Sequence, residues 1–138
     1  MISPLAGLRI LVVDDERGIA ALVVRQLERA GAACVAAHSG REGLDQLTDG
    51  AWDLVVTDTQ MPGASGFDIL DAAQRLAAPP AVIVMTAPGA AAEPLTAIER
   101  GADGYVVKPF APERLEREAG AAAELRALRA QAAVANDV

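Results

Sequence analysis

"LRILVVDDERGIAALVVRQLERAGAACVAA", residues 8–37, decides the fold. Residues 8–13 (LRILVV) are short, β-branched and nearly continuous in apolar character, as a strand covered on both faces should be. The period then changes. Over residues 17–30, Ile19, Leu22, Val23 and Leu27 fall on one helical stripe, and Gly31 supplies the stop. Residues 33–37 (ACVAA) return to a strand.

The same alternation runs outward along the chain. Residues 53–57 (DLVVT), 81–85 (AVIVM) and 105–107 (YVV) read as further strands. Residues 40–50 carry Leu44 and Leu47 and end in Gly50; residues 66–77 place Phe67, Ile69, Leu70, Ala73 and Leu76 at helical intervals. A shorter helix starts near Pro94, a residue tolerated in a first turn, and runs through Leu95 and Ile98 to Gly101. Strands alternating with helices in this way predict an α/β fold with a parallel, doubly wound sheet of five strands and helices on both faces. No repeat, low-complexity linker or domain boundary interrupts the chain before residue 112.

Composition narrows the functional classes. At 138 residues the chain fits one domain, and with 52% hydrophobic but only 3% aromatic residues its core has to be built from Val, Leu, Ile and Ala. A net charge of −7 argues against a nucleic-acid surface, which needs clustered Lys and Arg. The single cysteine, Cys34, excludes an internal disulfide. The first residues have neither a basic nor a long apolar stretch, and no apolar run approaches the roughly 18 residues of a membrane span, so the expected location is cytoplasmic.

In doubly wound sheets ligands bind beyond the carboxyl ends of the strands, which directs attention to the residue after each apolar run. These are Asp14 and Asp15 after the first strand, Asp58 after the third, Thr86 after the fourth and Lys108 after the fifth. Lys108 is the only lysine in the chain; every other basic residue is arginine. If the first and third strands are neighbours, three carboxylates converge. Two carboxylates about 4 Å apart repel by roughly 4 kcal/mol at an effective dielectric of 20, so the group needs a counter-charge. A hard divalent cation suits an all-oxygen site, with Mg2+ or Mn2+ as the candidates. Each residue alone also has a bland reading: a helix cap for the paired aspartates, a turn for Asp58, a backbone-bonded hydroxyl for Thr86.

Together, "ILVVDDE" (10–16), "DLVVTDTQMPGASGFDIL" (53–70), "VIVMTA" (82–87) and "GADGYVVKPF" (101–110) resemble the receiver domain of bacterial two-component response regulators. The resemblance covers roughly residues 7–120 and implies a flavodoxin-like strand order, 2-1-3-4-5. It implies that Asp58 accepts a phosphoryl group from a sensor histidine kinase or phosphotransfer protein. It further implies that Asp15 ligates Mg2+ directly, that Asp14 acts largely through water, and that the Gln60 backbone carbonyl completes the set. Thr86 and Lys108 would contact the phosphoryl oxygens, Tyr105 would switch rotamer, and the Lys108–Pro109 bond would be cis. Such a domain is a signalling module rather than an enzyme. It controls a partner or an output domain through the face formed by the fourth helix, fifth strand and fifth helix, and it can work as a homodimer. The rival readings are a Mg2+-dependent aspartyl phosphohydrolase, which wants a second acid where Gln60 stands, and a degenerate receiver that only binds partners.

Some features depart from the family pattern. Pro88, Gly89 and Pro94 constrain the loop before the fourth helix. Neither Gln60 nor Pro88 offers a carboxylate to activate water, so an acyl phosphate at Asp58 should not be especially short-lived. His38 belongs to a surface turn, and Trp52 is a packing anchor. The expected division is a receiver domain over residues 1–120 and a helical extension or linker start over 121–138. Residues 112–134 have helical composition, with Leu115, Ala119, Ala122, Leu125, Leu128 and Ala132 at three- and four-residue steps, and Gly120 as a point of breakage. Continuous, that helix would be roughly 30 Å long, more than a small sheet needs.

Overall fold

Uniformly apolar strands need cover on both faces, and the computed structural model, which describes residues 3–136, shows where it comes from. The chain order is β1 (Arg9–Val13), α1 (Arg17–Arg29), β2 (Ala33–Ala37), α2 (Gly40–Asp49), β3 (Leu54–Asp58), α3 (Gly66–Gln74), β4 (Ala81–Thr86), α4 (Ala92–Glu99), β5 (Gly104–Val107) and α5 (Pro112–Asn136). All strand pairings are parallel, in the order β2-β1-β3-β4-β5. The flavodoxin-like arrangement expected from the sequence is the observed one.

Alternate residues of each strand feed opposite cores. Ile10, Val12, Leu54, Val56, Ile83, Met85 and Val106 meet Val23 and Leu27 of α1 and Leu115, Ala119 and Ala122 of α5. Leu11, Val13, Val55, Val82 and Val84 meet Leu47 of α2, Ile69, Leu70 and Ala73 of α3 and Ala97 of α4. Each fully buried Leu, Ile or Val contributes about 1.5–3 kcal/mol. The register pairs Val13 with Thr57, Asp58 with Met85 and Thr86 with Val107, so the carboxyl ends of the strands form a single rim.

Boundaries differ from the sequence reading in small, explicable ways. Asp58 and Thr86 are the last residues of β3 and β4 rather than the first residues beyond them, because their backbones still join the ladder. Helix α4 begins at Ala92, which places Pro94 inside the first turn, where its missing N–H costs no helical bond. Trp52 is buried, its indole N–H donates to the Gln46 carbonyl at 2.9 Å, and the Arg9 guanidinium lies over its ring. His38 is half-buried in the turn between β2 and α2, and Cys34 is half-buried on β2, its thiol pushed up to about 12 by burial and by Glu28.

Helix α5 is unbroken. Gly120 sits within it against Pro4, and the whole helix is about 37 Å long. Its lower half is tied across the amino ends of the strands. Asp53 accepts the Arg9 N–H with one oxygen (2.8 Å) and Arg126 with the other (3.1 Å). Asp103 repeats the pattern, accepting the Val82 N–H at 2.9 Å and pairing with Arg129 at 2.8 Å.

Candidate functional site

Four strand-end residues meet at the carboxyl rim. Asp14, fully buried, leaves β1 with its N–H donated to the Ala37 carbonyl and its Oδ1 accepting the Glu16 N–H at 2.9 Å. Asp15 follows, exposed. Asp58 ends β3 with its side chain 12% exposed. Asp14, Asp15 and Asp58 each present an oxygen within 4.8 Å of the others. Lys108 closes the group from β5. Its ammonium lies 2.8 Å from Asp14 Oδ2 and 3.5 Å from Asp58 Oδ1.

The lysine is therefore aimed inward, with the Lys108–Pro109 peptide bond cis. It binds Asp14 more closely than Asp58. Burial works against its charge, but the hydrogen bond to Asp14 and the charges of Asp58, Asp14 and Glu16 outweigh it and raise its pKa. Asp58 responds the other way. Burial, and behind it the charges of Asp14 and Asp15, hold its carboxyl at about 6 although Lys108 and the Gln60 N–H both favour the anion. Three carboxylates and one committed ammonium leave a deficit of positive charge, and the donors are all oxygen. That is the donor set a hard divalent cation such as Mg2+ prefers, so the residues fit such an ion.

Around this group, Thr86 is fully buried at the end of β4 and its hydroxyl reaches the Val106 carbonyl at a long 3.5 Å. Its own carbonyl accepts the Lys108 N–H at 2.8 Å. Tyr105 lies half-buried against the core beneath α3 and α4. Gln60 is exposed, and its backbone N–H favours the Asp58 anion.

Two contributors were not read from the sequence. Gly66, at the start of α3, packs directly on the end of β3: its N–H donates to the Thr59 carbonyl at 3.0 Å, and a Cβ there would stand 2.1 Å from the Asp58 carbonyl oxygen. Gly66→Ala is expected to destabilise the fold by about 3 kcal/mol, the upper end for overpacking, and to displace Asp58. Urea denaturation checks it against Gly18→Ala, whose added methyl meets nothing within 4 Å and should be neutral or slightly stabilising. The second is Glu93 in the first turn of α4, whose carboxylate accepts from Thr59 Oγ1 at 2.9 Å and from Gln60 Nε2 at 2.8 Å. The signal for Gly66 lay in the small residues before the helix; nothing local marked Glu93.

The response regulator receiver domain family matches residues 10–119 of this chain. The chain belongs to that family. Relatives include an uncharacterized transcriptional regulatory protein, YkoG, of Bacillus subtilis, 37% identical over 77% of this chain and 46% of its own length. CpxR of Escherichia coli, a transcriptional regulatory protein, is 39% identical over 74% of this chain and 43% of its own length. The receiver thus spans less than half of these relatives. Among solved structures, a response regulator receiver domain protein of Clostridium thermocellum superposes with a TM-score of 0.80 at 33% identity, covering 88% of this chain and 98% of that one. NtrX of Brucella abortus gives 0.86 at 30% identity, covering 92% of this chain and 29% of that one. Among the described residues, no helix of this receiver is long and apolar enough to cross a membrane.

Proposed function

We propose that this receiver is a phosphorylation-controlled switch in which Asp58 takes a phosphoryl group from the phosphohistidine of a sensor kinase or phosphotransfer protein. The observation that carries this reading is the placement of Asp58: its carboxylate is grouped with those of Asp14 and Asp15, and Lys108 stands 3.5 Å from Oδ1. A carboxylate attacks phosphorus poorly because both are negative, so catalysis consists of positioning and of cations directed at the phosphoryl oxygens. Asp14, Asp15, Asp58 and the Gln60 carbonyl would hold Mg2+, or Mn2+ in its place. Bound there, the ion would neutralise charge on the transferred group.

The remaining roles belong to the chain itself. An Asp58 oxygen forms the new bond to phosphorus as the bond to the imidazole nitrogen breaks, and the imidazole, protonated on its other ring nitrogen, leaves neutral. Lys108 follows the phosphoryl oxygens with a compact ammonium on a flexible stem. Thr86, whose bond to the Val106 carbonyl is long, exchanges it for a phosphoryl oxygen, which opens room for Tyr105 to turn inward. The readout is the face of α4, β5 and α5. Residues 1–120 would act as the receiver proper and 121–138 as its helical extension toward an output domain or partner, in the cytoplasm where such kinases present their phosphohistidine. The domain turns over no separate substrate.

Incubation with phosphoramidate and Mg2+, followed by intact mass measurement, tests this. We expect one phosphoryl adduct that requires Mg2+ and is lost in Asp58→Asn. Steady release of phosphate from small phosphoesters would instead indicate a hydrolase, and no adduct at all a receiver that only binds partners.

A further inference from the structure

We infer that Glu93 is a positioning residue of the acceptor site, acting through Gln60; this rests on the reading that Asp58 is phosphorylated with a bound divalent cation. An acid in the first turn of a helix is ordinarily explained by the helix dipole. Here both of its oxygens are engaged elsewhere. One carboxylate grips the two consecutive residues that follow Asp58, Oε1 accepting from Thr59 Oγ1 and Oε2 from Gln60 Nε2.

Those two residues differ in how they are otherwise held. Thr59 is buried, its N–H donates to the Met85 carbonyl and its carbonyl accepts from Gly66. Gln60 is exposed beside an open hollow lined by Met61, Pro62, Ser65 and Phe67. Its backbone carries two duties: the N–H favours the Asp58 anion, and the carbonyl is the proposed cation ligand. The side-chain bond to Glu93 is what restrains it from the solvent side.

The same bonds restrain α4. The helix has no side-chain cap at Ala91, buries only Ala97 fully, and leaves Leu95 and Ile98 exposed. Packing alone therefore fixes its upper end weakly. Glu93 ties the start of α4 to the peptide that would face the cation, so the geometry of the site and the seat of the helix are set by one side chain.

Calorimetric Mg2+ titration of the full chain, with the amide resonances of Thr59 and Gln60 followed in parallel, tests the assignment. Outer-shell partners of metal ligands typically contribute 10–100-fold in affinity, and we expect Glu93→Ala to weaken Mg2+ binding about 10-fold, the lower end, and to broaden the Gln60 amide. Glu93→Gln should stay close to the parent, since its Oε1 can accept from Gln60 and its Nε2 can donate to Thr59 Oγ1. Gln60→Ala cuts the tether from the other side without touching α4, and combined with Glu93→Ala it should produce no further loss. Unchanged Mg2+ affinity and Gln60 amide signals in Glu93→Ala, or losses that add in the double variant, overturn the inference while leaving the phosphorylation reading in place. A parent protein that neither binds Mg2+ nor gains a phosphoryl group overturns both.

Discussion

Without divalent cations, Asp58→Asn is expected to melt about 5 °C or more above the parent at neutral pH, although it removes the residue on which the proposed chemistry depends. The Asp58 carboxyl is held at about 6 against an ordinary 3.8, by burial first and by Asp14 and Asp15 after it. The folded chain therefore binds this proton more tightly than the unfolded one, and stability falls as pH rises from about 3.8 to about 6, then levels off. A shift of this size corresponds to roughly 3 kcal/mol at pH 7, and an uncharged isostere recovers most of it. Calorimetric melting across pH checks the sign: the gap between variant and parent should close as pH drops through that window. Adding Mg2+ should raise the melting temperature of the parent and leave the variant nearly unmoved. A parent more stable than Asp58→Asn at pH 7 without Mg2+ would show that the acids do not repel as the geometry implies.

Lys108→Ala should act with the opposite sign and comparable or larger size. Asp14 is fully buried, and the ammonium 2.8 Å away is the one cation paired with it among the described residues. Removing one partner of a buried ion pair costs about 3–5 kcal/mol, because the remaining charge stays in a poorly solvated place. Here the loss also leaves Asp14 and Asp58 facing each other without the group between them. The urea midpoint should fall accordingly, and Mg2+ should restore part of it. Lys108→Arg separates charge from shape. It keeps a cation and hence the fold, but a planar guanidinium is wider and prefers a fork of acceptors, so the response of α4 and β5 to phosphorylation should be impaired. Amide spectra of the phosphorylated Arg variant that match those of the phosphorylated parent would contradict this.

Much of the molecule was legible because its signals are local. Apolar runs without alternation marked strands covered on both sides, and the charged or hydroxyl residues at their ends marked the rim where Asp14, Asp15, Asp58 and Lys108 meet. The lone lysine stood out because the chain otherwise uses arginine. What escaped were pairings that only the register creates. Glu93 meets Thr59 across 34 positions and Arg126 meets Asp53 across 73; no periodicity connects such residues, and a glutamate in a first helical turn already has an ordinary explanation. Nor does the sequence say which acid Lys108 pairs with: the fully buried Asp14, with more to lose from an unpaired charge, takes the shorter bond and Asp58 the longer.

The docking of α5 by Arg126 and Arg129 bears on how the protein should be handled. A polypeptide ended at residue 120 would retain every acid of the rim, yet Asp53 and the largely shielded Asp103 would be stripped of their guanidinium partners. Such a fragment would loosen first at the edge farthest from that rim. Poor phosphoryl uptake by it would then measure a weakened scaffold, and the role proposed for Asp58 would be blamed for a fault in its foundations.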